Sequence, residues 1–360
     1  MVSERNYAID GLRGLFAIGV MFYHLCMWTE VALPPLLDTF LLKIAIYGVA
    51  GFFIISGYSL MLSYADRLHA RSDIGYFFKR RFLRIAPLYI AVCLVYLAGR
   101  IAFCDADCRG FEEDLQRFIL NITLLFGFVE PGRTSFVVGG WSIGIEWVFY
   151  LFFPLVLAIT SGWRLWALAL ATLLYNQYHM NIVLDASQSF GENFPLYAQA
   201  PALAFYFIIG MVMARYREVL ARSCAHKGLW LMALLVAIIA LPIDGPASVD
   251  IVTGVNGFAL LALTALLVAS ISTVRLTQPR ARKVALFLAE ISYALYLGHF
   301  IVYEVVRRVV ADASLQIGLT ALVTMVAAYA TYRLVEKPFQ QWGRRGSLPS
   351  MAEAEAAITR

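Results

Sequence analysis

Ten apolar runs, most of them long enough to cross a bilayer, constrain this chain more than any other feature. They fall near residues 11–29, 40–62, 84–103, 143–160, 163–178, 198–214, 228–243, 251–273, 284–306 and 315–335. A helix needs about 20 predominantly apolar residues to span the hydrocarbon core. Lipid offers the backbone no hydrogen-bond partners, so spanning segments are helices or closed barrels. The expectation is an all-α polytopic membrane protein with about ten transmembrane helices. Composition agrees: 61% of the 360 residues are hydrophobic and 15% charged, whereas soluble domains are roughly half apolar and about a quarter charged. The first run is too long for a signal peptide and lacks a small-residue cleavage pattern, so we expect it to remain as the first membrane helix.

Basic residues alternate with these runs. With the N-terminus in the cytoplasm, the cytoplasmic loops hold Arg67, Arg71, Lys79, Arg80, Arg81 and Arg84, then Arg164, then Arg215, Arg217, Arg222 and Lys227. Arg275, Arg280, Arg282 and Lys283 follow, and then Arg333, Lys337, Arg344 and Arg345. The opposite loops carry mostly acids, such as Glu30, Asp38, Asp105, Asp107 and Glu192, with Arg307 and Arg308 as the main exception. The positive-inside rule then places both termini in the cytoplasm. The net charge of +5 reads as a topology signal, with no nucleic-acid surface. Residues 1–345 form one transmembrane domain, and 346–360 read as a disordered cytoplasmic tail. The short run 117–129 carries Asn121, and as a full span it would reverse every later loop, so it reads as re-entrant or interfacial.

Ionisable groups inside spans are costly and mark functional positions. Arg13 and His24 lie eleven residues apart in the first run; that is nearly three whole turns, which puts both on one helix face about 16 Å apart along the axis. Arg13 suits a phosphate or carboxylate, or serves as a topology anchor. His24 suits proton transfer, or hydrogen-bonds another helix. In the fourth run, GGWSIGIEWVFYLFFP, Glu146 stands about 8 Å below the expected outer boundary, a depth that approaches His24. It could orient the imidazole, hold an acceptor hydroxyl or pair with a cation. Lys79, Arg80, Arg81 and Arg84 cluster in YFFKRRFLRIAPLY, which fits either the phosphates of a nucleotide-like donor or anionic lipid headgroups.

Weaker signals surround these. Gly51, Ser56 and Gly57 permit close helix packing. His299 is either a second polar group in a cavity or a packing residue. Glu336 stands at the cytoplasmic end of its run, and Asp10 precedes the first span, where it can cap the helix or orient Arg13. Cys104 and Cys108 flank a polar loop, and spacing alone leaves their pairing open. No Cys/His spacing resembles a zinc site, so no metal is expected.

Taken together, DGLRGLFAIGVMFYH, FFIISGYSL, KRRFLRIAPLY, WSIGIEWVFYLFFP, PALAFYFIIGMVMAR, ISYALYLGHF and EKPF resemble the acyltransferase-3 family of membrane-bound O-acyltransferases, from residue 7 to about 340. The family's fourth-span motif looks like WSLSVEEQFYL; here Glu146 is kept and Trp147 replaces the second acid. The resemblance implies transfer of an acyl group, often acetyl from acetyl-CoA, to a hydroxyl of a cell-surface saccharide. It implies a bacterial inner-membrane location, with polysaccharide-synthesis machinery as a further partner. Some relatives carry a C-terminal hydrolase-like domain, which this sequence does not show. By the resemblance, Arg13 and His24 form the essential pair, and Arg81 and Arg84 contribute to donor binding; from the charge pattern, Arg13, Arg80 and Lys79 are expected beside them. Glu146, Trp141, Ser142 and His299 would line the acceptor side. A glycan transporter using His24 and Glu146 as a relay fits the intramembrane charges equally well on physics alone. A membrane scaffold would need neither residue.

Overall fold

The computed structural model describes residues 5–68, 71–102, 111–159, 162–223, 227–243, 245 and 248–345. The Cys104–Cys108 pairing and the tail at 346–360 lie outside the described residues. Among the described residues the regular structure is helical, without a strand. In chain order the α-helices are α1 (Tyr7–Thr29), α2 (Pro35–Tyr64), α3 (Arg71–Ala102), α4 (Phe111–Ile122), α5 (Pro131–Thr134), α6 (Gly140–Ile159), α7 (Trp163–Tyr178) and α8 (Phe190–Tyr197). They continue with α9 (Ala200–Arg215), α10 (Arg217–Ser223), α11 (Lys227–Ala240), α12 (Gly254–Ser272), α13 (Pro279–Val306), α14 (Ala313–Thr331) and α15 (Lys337–Arg344).

Among the described residues, seven stretches are long and apolar enough to cross a membrane: α1, α2, α3, α6, α12, α13 and Ala313–Arg344. The pair α8 and α9, bent by 70° at its break, makes an eighth if the two form one span. Each expected run falls on a helix, but α7, α9 and α11 have only 16, 16 and 14 residues. Of the ten expected spans, seven or eight meet the length and composition of a crossing helix among the described residues.

The bundle is organised around α1, which packs on α2 and α13, while α2 packs on α9 and α13 on α14. The α2–α9 crossing is close because two glycines face it. A Cβ on Gly57 would stand 2.0 Å from the Phe207 carbonyl oxygen, and one on Gly210 would stand 2.0 Å from that of Ile54. Small residues let backbones approach this way in membrane bundles. At the start of α1, the Asn6 side chain accepts from the Ala8 and Ile9 amides (3.0 and 3.2 Å) and donates to the Ser272 carbonyl (2.6 Å), so the N-cap also ties α1 to the end of α12.

Residues 111–139 form no further spanning helix. Left-handed backbone at Leu124 (φ 59°) and Glu130 (φ 44°) breaks them into α4, a single 3-10 turn at Leu125–Phe128, and α5. This segment packs on α3 and α6. Fully buried Asn121 pins it: its amide donates to the Arg117 and Thr134 carbonyls (both 2.7 Å), and its oxygen accepts from Tyr89 (2.5 Å) and the Phe136 amide (2.9 Å). Irregular backbone is tolerated at membrane depth only when its polar groups are satisfied in this way.

A second buried polar group joins α2 to the end of α11. Lys43 on α2 is 1% exposed, and its ammonium donates to the carbonyls of Ile238 (2.9 Å), Ile239 (3.2 Å) and Leu241 (2.6 Å). These are the unpaired carbonyls at the C-terminal end of α11, where a positive charge also complements the helix dipole.

Candidate active site

Two cavities lie in opposite halves of the helices. The larger, about 500 Å³, is lined by the first half of α1 (Asp10, Arg13), the second half of α2 (Ser56, Ser59, Ser63), Arg81 and Arg84 of α3, and residues 332–344. The smaller, about 420 Å³, is lined by Val20, Tyr23 and His24 late in α1, by Leu42 to Val49 early in α2, and by Tyr96, Trp141, Phe194 and Tyr197. Helix α1 therefore delivers Arg13 to one cavity and His24 to the other, which is the outcome of their shared face and eleven-residue spacing.

In the larger cavity, six cations (Arg5, Arg13, Arg81, Arg84, Lys337, Arg344) face four acids (Asp10, Glu146, Glu290, Glu336). Arg5 pairs with Asp10 at 2.5 Å, and Asp10 stands 3.9 Å from Arg13. Arg81 donates to the Tyr64 hydroxyl (3.3 Å) and its guanidinium lies over the rings of Tyr64 and Tyr150 (5.4 and 5.7 Å). Tyr150 donates in turn to Glu146, which also accepts from Ser56 (3.0 Å). Two buried polar atoms on this wall lack any partner, the Arg81 Nε donor and the Glu336 Oε1 acceptor. A ligand that supplies both an acceptor and a donor would satisfy them. Lys79 and Arg80 do not line this space: Lys79 lies over Trp342 (6.0 Å) and Arg80 against Tyr64 and Tyr76 (5.9 and 5.6 Å).

The smaller cavity is aromatic, with Arg117 as the charged residue in its lining besides the His24 imidazole. His24 Nδ1 lies 2.9 Å from His299 Nε2, and His299 Nδ1 lies 3.3 Å from the Leu295 carbonyl oxygen. A carbonyl only accepts, so His299 carries its proton on Nδ1 and offers Nε2 as an acceptor. His24 must then donate from Nδ1, which leaves its Nε2 lone pair free. Trp28 holds the assembly: its ring lies parallel to His24 (5.1 Å between centroids, 11°) and to His299 (5.5 Å, 15°), and its carbonyl accepts from Tyr303 (2.8 Å). The result is an oriented base at the cavity wall, half-buried, backed by a histidine with no exposure at all.

Of the four residues expected to line one side together, Glu146, His299 and Ser142 are not among the lining of the His24 cavity. Glu146 does not approach His24; it lines the larger cavity with Arg13 and Arg81. Distance counted from the start of α6 does not give a position relative to His24, because that start is itself packed inside the bundle. Gly140, Ser142 and Ile143 are buried, and residues 125–134 pack on the helix. His299 is not among the lining residues of either cavity: it stands behind His24, with its Nε2 2.9 Å from His24 Nδ1. Trp141 does face the smaller cavity, edge-on to Phe194 and Tyr197 (5.3 and 6.1 Å). Ser142 turns the other way, toward the larger one, with its hydroxyl 2.9 Å from that of Tyr296. Sequence reasoning passed over Trp28, Tyr150 and Tyr296; only the last had a visible signal, standing three residues before His299 in SYALYLGHF.

This arrangement, a polyanion-ready cavity beside an oriented histidine within a helical bundle, is that of a membrane-embedded group-transfer enzyme. The chain belongs to the acyltransferase-3 family, whose model, described as an acyltransferase domain, matches residues 6–333. It is an acyltransferase. Acyltransferase MdmB of Streptomyces mycarofaciens is 28% identical over 97% of this chain and 96% of its own length. ORF330 of Acidianus two-tailed virus, named as an acetyltransferase, is 26% identical over 84% of this chain and 85% of its own. A Staphylococcus aureus (strain COL) protein named as an O-acetyltransferase, SACOL0978, is 24% identical over 93% of this chain; the match spans 57% of that protein's length. No solved structure matches the chain.

Proposed function

We propose that this enzyme carries an acetyl group from cytoplasmic acetyl-CoA to a hydroxyl of a saccharide presented at the opposite membrane face. The carrying observation is the free Nε2 of His24, fixed by His299, in a cavity adjoining a second one lined by six cations. The Lys/Arg distribution supports cytoplasmic termini. The cationic cavity then faces the cytoplasm, where a donor with several phosphates is available. The unpartnered Arg81 Nε and Glu336 Oε1 suit the mixed acceptors and donors of coenzyme A. The aromatic wall of the smaller cavity suits the flat C–H faces of a sugar ring. The S. aureus relative named as an O-acetyltransferase favours acetyl as the group and oxygen as its destination.

In this reading Arg13, Arg81 and Arg84 hold the donor phosphates, and the thioester arm extends toward His24. The Nε2 of His24 takes the acceptor hydroxyl proton, the oxygen attacks the thioester carbonyl, and the departing thiolate recovers the proton from the imidazolium. Trp141 positions the sugar. Glu146, bound to Tyr150 and Ser56, balances the charge of Arg13 and Arg81 and fixes the donor wall.

The test is label transfer from [14C]acetyl-CoA to membrane glycans by purified protein in liposomes. His24→Ala should lower transfer about 10³-fold while acetyl-CoA still binds. Full activity in that variant ends the proposal. A labelled protein trapped without acceptor would replace direct attack by an acetyl-enzyme route.

A further inference from the structure

Among the described residues, the two cavities share only Val49 and Tyr296 in their linings. Val49 has no polar group, so among the described residues Tyr296 is the one shared lining residue with a polar side chain. Its ring stands edge-on to Phe52, which lines the larger cavity (5.9 Å between centroids). It occupies α13 three residues before His299, whose ring is 6.4 Å away. One face of one helix thus carries both this hydroxyl and the partner that orients His24.

The hydroxyl has a hydrogen-bond arrangement with a spare member. Tyr296 and Ser142 both reach the Gly139 carbonyl oxygen (3.1 and 3.0 Å), and they stand 2.9 Å from each other. Ser142 can satisfy that carbonyl by itself. The phenolic proton is therefore free to turn to another acceptor without leaving a buried carbonyl unpaired.

We propose that Tyr296 is a catalytic residue whose hydroxyl donates a hydrogen bond to the thioester carbonyl oxygen as that carbon becomes tetrahedral. The inference rests on the acyl-transfer reading above. A donor arriving through one cavity and an acceptor through the other meet where the walls coincide. As the acceptor oxygen bonds to the acyl carbon, its proton passes to His24 Nε2 and the carbonyl π pair moves onto oxygen. The phenol stabilises that charge and keeps its own proton. When the C–S bond breaks, the pair returns to the carbonyl and the thiolate takes the proton held by His24. A preorganised donor of this kind acts most strongly where water is excluded. Ser142 is a positioning residue, setting the angle of the phenol.

Tyr296→Phe removes one oxygen and leaves the ring against Phe52. In wild-type protein that transfers acetyl, the variant should lose about 10²–10³-fold in kcat, with both KM values within about twofold. Retention of kcat within about threefold, or a rise in KM with kcat unchanged, overturns the proposal. Should the variant fail to bind acetyl-CoA, 3-fluorotyrosine at 296 preserves the fold and makes the phenol more acidic. A more acidic phenol is a stronger hydrogen-bond donor, so kcat should rise with both KM values unchanged; an unchanged or lowered kcat overturns the proposal. Absence of transfer in the wild-type protein would instead count against the acyl-transfer reading itself.

Discussion

The two cavities solve the problem of a polar site in lipid in opposite ways. In the larger, charge is compensated locally: Arg5 and Arg13 face Asp10, and Arg81 connects through Tyr150 to Glu146. In the smaller, the described lining is mostly aromatic and apolar with Arg117 as its full charge, and the base is His24, held by His299 and clamped by Trp28. The difference fits their proposed tasks. A polyanionic donor is held by opposite charge. A neutral alcohol is held by shape and aromatic surface, and an uncharged imidazole is the base that can deprotonate it.

Paired substitutions sharpen the contrast. His24→Ala should lower kcat about 10³-fold and leave acetyl-CoA affinity unchanged, whereas Arg84→Ala should weaken acetyl-CoA binding about tenfold with a smaller effect on kcat. Equilibrium binding alongside steady-state rates reads both; a loss of donor affinity in the His24 variant would blur the division. Next in size is His299→Ala, which frees the His24 tautomer and should lower kcat about 10- to 100-fold. His299→Gln, which still offers an acceptor, should restore part of it, and equal activities for the two would refute the orienting role. Trp141→Ala should raise acceptor KM about tenfold and leave donor KM untouched; the reverse pattern would move Trp141 to the donor side.

The smallest expected effect separates both cavities from the scaffold. Lys43→Met strands three carbonyls at the end of α11 and should cost about 1–3 kcal/mol of stability. Thermal unfolding in detergent would register the loss, with both KM values unchanged.

Much of the fold was legible because long apolar runs have few physical outcomes. The charge distribution also identified 117–129 as something other than a span, in agreement with the broken segment at 111–139. Periodicity placed Arg13 and His24 on one face of α1, since that relation is internal to a helix. Relations between helices were not legible. The partner of His24 lies 275 residues away on α13, and Lys43 meets its carbonyls across 195 to 198 residues. That Glu146 lines the cavity of Arg13 and Arg81, and not that of His24, was not legible either, because helix length gives distance from the helix's own end and not from other helices. Of the basic cluster, composition could not tell Arg81 and Arg84, which line the cavity, from Lys79 and Arg80, which pack on aromatic rings outside it.

The most direct measurement is the sidedness of transfer in liposomes containing protein of one orientation. With acetyl-CoA supplied only at the face bearing the start of α1 and membrane glycans only at the other, labelled acetyl should cross and appear on the glycan. With both supplied only at the glycan face, no transfer should occur. Equal transfer in the second arrangement would contradict a reaction fed from two opposed cavities.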